Sequence, residues 1–184
     1  MQERYFIAIV PENPLFDLIE GLKLEANKIC GTKASLRSPS HLTLHMPFLF
    51  NSSKEEFLTS SIAESISTIS RFNISTHKMG FFGERVIFLD VIQNEELRVC
   101  QKKIVEVMKK CQIFNQADSL MPFHPHFTVA FRDITKKQFS VLWSFFSDKQ
   151  FDFTFTVSKI ELLRFSEEEK KWRIINSIPI HESR

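Results

Sequence analysis

The chain predicts an α+β protein of two pseudo-symmetric lobes, each an antiparallel sheet with helices on its outer face, meeting in a central cleft. Three observations carry that expectation. The order helix, His-bearing strand, helix, β-hairpin occurs twice along the sequence. The two His-bearing segments, SHLTLHMPF at 40–48 and HPHFTVAF at 124–131, alternate polar and apolar residues with the period of two that marks a half-buried strand. Their key histidines, His41 and His126, stand 85 residues apart in a chain of 184, the spacing of a duplicated architecture. One domain spanning 1–184 is expected, its lobes formed mainly from about 1–92 and 93–184 with strand exchange between them.

Taken in order, Tyr5 to Val10 is a β-rich run stopped by Pro11 and Pro14. Pro14 to Cys30 then has helical spacing of Leu15, Leu18, Ile19, Leu22 and Ala26 and closes at Gly31. His41 to Phe48 is a strand. Ser52 or Ser53 is the expected cap of the helix that follows, with Glu55 and Glu56 in its first turn, where the helix dipole favours negative charge. Phe72 to Phe82 and Arg85 to Ile92 form a hairpin joined at Gly83-Glu84. Asn94 to Phe114 is an amphipathic helix with Leu97, Cys100, Ile104, Val107, Met108 and Cys111 on its apolar side and lysines elsewhere. A loop containing Pro122 and Pro125 leads to the strand His126–Phe131 and a helix from Ile134 to Ser147. Finally, Phe151 to Phe165 pairs with Trp172 to Ile180 across the turn SEEEK.

Composition narrows the function. With 20 Phe and a single Tyr, the aromatic rings serve mainly as packing volume. A net charge of +2 is too mild for a protein that wraps long nucleic acid, and leaves room for a small anionic substrate. Cys30, Cys100 and Cys111 are odd in number and lack CxxC spacing, so reduced thiols in a cytoplasmic protein are expected. The opening MQERYFIAIVPEN looks like a strand, not a signal peptide, and no apolar run approaches the roughly 20 residues that would span a bilayer. A soluble monomer with no membrane partner is expected.

His-x-Thr/Ser alone is weak evidence. Ser and Thr total 28 residues, so six histidines give about one such match by accident, and a third does occur at His181-Glu182-Ser183. The strand setting separates the first two. Alternation puts His41, Thr43 and His45 on one face and Leu42, Leu44 and Met46 on the other. It likewise sets His124, His126, Thr128 and Ala130 against Phe127, Val129 and Phe131. If the apolar faces lie on the core, an approximate two-fold axis brings His41 and Thr43 opposite His126 and Thr128 across space for one tetrahedral group. The plainer alternative is a set of exposed polar positions on half-buried strands.

At these residues the chain resembles the 2H phosphoesterases, and among them the proteins named for 2′,5′ RNA ligase and cyclic nucleotide phosphodiesterase activity. The resemblance runs through RYFIAIVP, SHLTLHMPF, FNISTHKMGFFGERVIFLDV, HPHFTVAF and FTVSKIELLRFSEEEKKWRIINSIPI in the family's order, and the two His-x-Thr motifs are its specific part. It implies His41 and His126 as catalytic residues and Thr43 and Thr128 as phosphate binders. Phe131 stands where many members carry an Arg, with Arg132 one step later, and His45 lies where the family varies; both bear on substrate choice.

The residues themselves could do what the resemblance implies. Opening a 2′,3′-cyclic phosphodiester needs one group to take a proton from water and another to give one to the departing ribose oxygen. Two imidazoles near neutrality suffice, with Thr hydroxyls donating to the non-bridging oxygens, so no cofactor and no metal are expected. The expected partner is an RNA end or small nucleotide carrying a cyclic phosphate, or a 2′,5′ linkage. His45, His124 and Arg132 are candidate cleft-lining residues, and Phe82 or Phe48 a candidate base-stacking ring whose plainer reading is core. Two rivals stand beside this: a zinc hydrolase using His124, His126, His41 and His45 as nitrogen ligands, and an RNA-end or nucleotide binding module without turnover.

Overall fold

The computed structural model describes residues 1–114 and 122–182. Its elements are β1 (Gln2–Ile9), α1 (Leu15–Cys30), β2 (Leu42–Asn51), α2 (Glu55–Ile66), β3 (Phe72–Phe82), β4 (Val86–Ile92), α3 (Glu95–Lys110), β5 (His126–Phe131), α4 (Lys136–Phe146), β6 (Thr154–Val157), β7 (Lys159–Ser166) and β8 (Lys171–Pro179). The first part of the loop expected ahead of Pro122, residues 115–121, lies outside the described residues.

All eight strands join one sheet in the order β6-β3-β4-β5-β2-β1-β7-β8, and the pairings between them are antiparallel. The run expected as one strand from Phe151 to Phe165 is two. Ser158 divides β6, which pairs with β3 at one edge, from β7, which pairs with β1 and β8 near the other. Because one residue joins positions so far apart in the strand order, the sheet must curl into a half-barrel. The C-terminal tail laces the gap: Ile180 N–H donates to the Ser158 carbonyl at 2.8 Å and Arg71 N–H to the His181 carbonyl at 2.9 Å.

The halves of the sheet, β6-β3-β4-β5 and β2-β1-β7-β8, therefore each mix strands from both ends of the chain. The helices exchange as well. α1 packs on β5 and α4, while α3 packs on β2 and α2, which is the approximate two-fold relation foreseen from the element order. Leu15, Ile19, Leu22 and Ala26 of α1, and Leu97, Cys100, Ile104 and Met108 of α3, are buried against Ile7, Ile9, Leu42, Leu44, Phe127 and Val129. Each such Leu or Ile contributes roughly 1.5–3 kcal/mol. The opposite, concave face of the sheet is barer, with a small cluster of Phe6, Ala8 and Leu163 under Trp172.

Helix ends follow local chemistry, with one revision. Gly31, at φ 74°, closes α1 with its N–H on the Asn27 carbonyl. Asn94 caps α3 by accepting from Leu97 N–H, and Thr135 and Gln138 form a capping box on α4. Ahead of α2, however, Asn51 accepts from Ser53 N–H in place of the expected Ser52 or Ser53 cap, because a 3-10 turn at Ser52–Lys54 precedes the helix proper.

Candidate active site

The two halves meet at the β2–β5 seam, where the ladder consists of the single pair Leu42↔Phe127. Both residues are fully buried on the helix side. Continuing the register one residue each way sets His41 beside Thr128 and Thr43 beside His126 on the concave face. The histidines then occupy diagonal positions, for which antiparallel strands give roughly 7–8 Å between backbones.

The two imidazoles are held alike. His41 Nδ1 lies 2.7 Å from the Pro39 carbonyl and His126 Nδ1 lies 2.8 Å from the His124 carbonyl, each acceptor two residues back along the chain. A carbonyl can only accept, so Nδ1 carries the proton and Nε2 is the nitrogen left for chemistry. Aromatic rings fix the planes: Phe6 packs on His41 with centroids 4.7 Å apart, and Phe88 and Phe82 on His126 at 4.8 and 5.1 Å.

Electrostatics favour neutral rings before a substrate binds. Desolvation pushes the His41 pKa down to about 4, and the nearby charges of Lys23 and His126 push the same way, against the Pro39 hydrogen bond and Glu20. Desolvation also lowers His126, opposed chiefly by its hydrogen bond to the His124 carbonyl.

Four residues lie on the face opposite to the one expected. β2 carries a bulge between the pairs Ile7↔His45 and Ala8↔Thr43, so alternation breaks after Leu44. His45, set opposite the core residue Ile7, is 1% exposed and packs edge-on against Phe48, with Nδ1 on the Met46 carbonyl. It does not line the cleft, and Met46 is exposed instead of buried. β5 repeats the event. A bulge between Ile87↔Ala130 and Phe88↔Thr128 sends Ala130 to the core and, by the next pair Phe131↔Val86, brings Phe131 to the concave face. Arg132, at φ 67°, lays its guanidinium over that ring at 5.3 Å, at the far end of the strand from His126.

Of the remaining candidates, His124 borders the site, its Nε2 2.9 Å from Asp90 Oδ1 and its carbonyl on His126. Phe48 is core between Tyr5 and His45, whereas Phe82 is 36% exposed beside His126 and His124. The third His-x-Ser match is remote in role: His181 bridges Ser70 in the tail, and Ser183 lies outside the described residues. Among the described residues no group of three or more His, Cys, Asp or Glu is placed to hold a metal ion, and no helix is long and apolar enough to cross a membrane.

Sequence reasoning missed Glu20, Lys23 and Asp90. Lys23 had a legible signal, because it falls in the same helical stripe as Ile19 and Ala26 and is buried with them.

Comparison with known proteins agrees with this geometry. The model of the 2′-5′ RNA ligase superfamily matches residues 11–169, most of the chain, and the chain belongs to that family, the 2H phosphoesterases. A Staphylococcus haemolyticus protein whose name gives phosphoesterase as an inferred activity is 22% identical over 176 residues, 95% of this chain and 97% of its own. Escherichia coli LigT complexed with 3′-AMP superposes with a TM-score of 0.71 at 17% identity, over 98% of this chain and 99% of LigT. A Thermus thermophilus protein does so with a TM-score of 0.72 at 15% identity, over 98% of this chain and all of that one. These superpositions establish a shared fold. LigT has also been crystallised with ATP and with NADP+.

Proposed function

We propose that the chain is a phosphodiesterase that hydrolyses a 2′,3′-cyclic phosphate, or a related 2′,5′ linkage, at an RNA end or on a small nucleotide. The observation that carries this is the matched pair of Nδ1-to-carbonyl bonds at His41 and His126, which commits the same nitrogen of each ring to the backbone and leaves Nε2 of each as the one for proton transfer. One neutral Nε2 takes a proton from water as its oxygen forms the new bond to phosphorus. The bond to the departing ribose oxygen breaks as that oxygen takes a proton from the other, protonated imidazole. Thr43 and Thr128 donate hydrogen bonds to the non-bridging oxygens, whose charge grows in the five-coordinate state. The two rings exchange roles with reaction direction, and the step calls on no metal. LigT's crystallisation with 3′-AMP supports a nucleotide ligand, and Phe82, half-exposed beside His126, offers a face for a base.

Turnover of a panel comprising 2′,3′-cyclic nucleotides, a 2′,5′-linked dinucleotide, RNA ending in a cyclic phosphate and an ADP-ribose cyclic phosphate tests this, with phosphorus NMR assigning the product. His41→Ala and His126→Ala should each lower kcat by about 10²–10⁴-fold with circular dichroism unchanged. Unaltered turnover in either variant removes that residue from the mechanism. Activity lost to a chelator and restored by zinc would favour the zinc hydrolase, although His45, one of its nitrogens, is buried on the helix side. Binding of nucleotides without turnover would leave a binding module.

A further inference from the structure

The two histidines share an orientation but differ in what lies behind them. Behind His41, Lys23 of α1 is 2% exposed, and its Nζ donates to Glu20 Oε1 at 2.8 Å and to the Ser38 carbonyl at 3.0 Å. The same Glu20 oxygen accepts from Ser40 N–H at 2.8 Å and from Ser40 Oγ at 2.7 Å. The tripeptide Ser38-Pro39-Ser40 is thus gripped at both ends, and the carbonyl between the grips, that of Pro39, is the one that takes His41 Nδ1. Lys23 is buried and Glu20 only partly so, and taking a lysine out of water costs much of what its ion pair returns, so its place here calls for another reason. Among the described residues His126 has no such counterpart: its acceptor residue, His124, is exposed and turns its ring to Asp90.

We propose that Glu20 and Lys23 are positioning residues for His41, clamping the Pro39 carbonyl so that the His41 ring is held as the Nδ1–H tautomer with Nε2 aimed at the phosphate. The kinetic readout of this proposal rests on the phosphodiesterase reading; its spectroscopic readout does not. The pair also sets the ring's electrostatics. The charged and titratable groups acting on His41 are Lys23 and Glu20 from α1 and His126 from β5, with apolar Phe6 on the β1 side. Lys23 and His126 disfavour the imidazolium and Glu20 favours it.

The test is ring-nitrogen NMR of the full-length protein, with His41 and His126 assigned by substitution, alongside kinetics on whichever panel substrate is turned over. In Lys23→Met, the Nδ1–H tautomer of His41 should lose population as the Pro39 carbonyl is released. kcat should fall about tenfold or more with KM changed far less, and Lys23→Arg should restore much of the loss. In Glu20→Gln, the tautomer should shift the same way and the His41 titration should move down, because loss of the carboxylate charge and loosening of the Pro39 carbonyl both disfavour the imidazolium. Lys28→Gln, which breaks the exposed Lys28–Glu25 pair on the same helix, should change neither readout. If Lys23→Met does not fold, Glu20→Gln carries the test alone. An unchanged His41 tautomer and titration in the folded variants overturns the proposal. If no panel substrate is turned over, NMR still decides this inference while the phosphodiesterase reading fails separately.

Discussion

At the scale of single residues, the site is governed by taking two imidazoles out of water while keeping one nitrogen of each open to a ligand. In the proposed scheme the productive pair, one ring neutral and one protonated, exists in the free protein between the two titrations. Both are displaced downward, His41 to about 4. The kcat/KM profile should therefore peak on the acid side of pH 6.5. A bound phosphate anion favours the imidazolium, so the kcat profile should be centred at higher pH. Steady-state kinetics from pH 4 to 9 checks both, and a kcat/KM climbing steadily to pH 9 contradicts the paired-ring scheme. The same displacement enters stability. Below about pH 6.5 the unfolded chain protonates its His41 while the folded protein does not, down to about pH 4. The contribution is complete above pH 6.5, is lost progressively between those values, and is gone below about pH 4. Its size is on the order of 3 kcal/mol. Urea denaturation at pH 7 and pH 4.5 should show a smaller difference for His41→Phe than for the natural protein; an equal difference would place the acid sensitivity elsewhere.

At the scale of elements, the strands bearing the site are anchored by neighbours that own no catalytic group. Gly80 of β3 stands opposite Phe88 of β4, and a Cβ there would lie 2.5 Å from Cε2 and 2.7 Å from Cζ of the Phe88 ring. The missing side chain lets that ring lie flat, where it meets both Phe82 and His126. Gly80→Ala should lift Phe88, cost about 1–3 kcal/mol and lower kcat by displacing His126. A thermal midpoint and kcat both equal to those of the natural chain would refute this. Elements also show what a sequence can reveal. His41, Thr43, His126 and Thr128 were legible because a two-residue period is local to each strand. The pattern misled beyond Leu44 and Val129 because a bulge inserts one residue, and its place is fixed by the pairing with β1 or β4. Lys23 was legible by position, in the stripe of Ile19 and Ala26, but a lysine's charge argues for a solvated face, and that reading prevailed. The break at Ser158 was hidden because Phe, Thr and Val continue on both sides of it; a change of partner strand, not of composition, ends β6.

At the scale of the molecule, the repeated order of elements was readable and the exchange between repeats was left as an expectation, since pairing between β1 and β7 joins residues more than 150 apart. The exchange makes the halves of the chain interdependent. Residues 1–92 alone would leave β1 without β7, β2 without β5 and α1 without the strand it packs on. That fragment should show no cooperative thermal transition, whereas its co-expression with 93–184 should recover one. A cooperative transition for 1–92 alone would mean that the N-terminal half can close its own core. The one-residue passage at Ser158 reaches further than topology. Like a buckle, it ties the outer ends of the curved sheet together, and the tail at Ile180 and His181 fastens the same place. With those ends tied, the proposed site is expected to admit its substrate by side chains turning at the rim and not by the hinged closure of one half over the other.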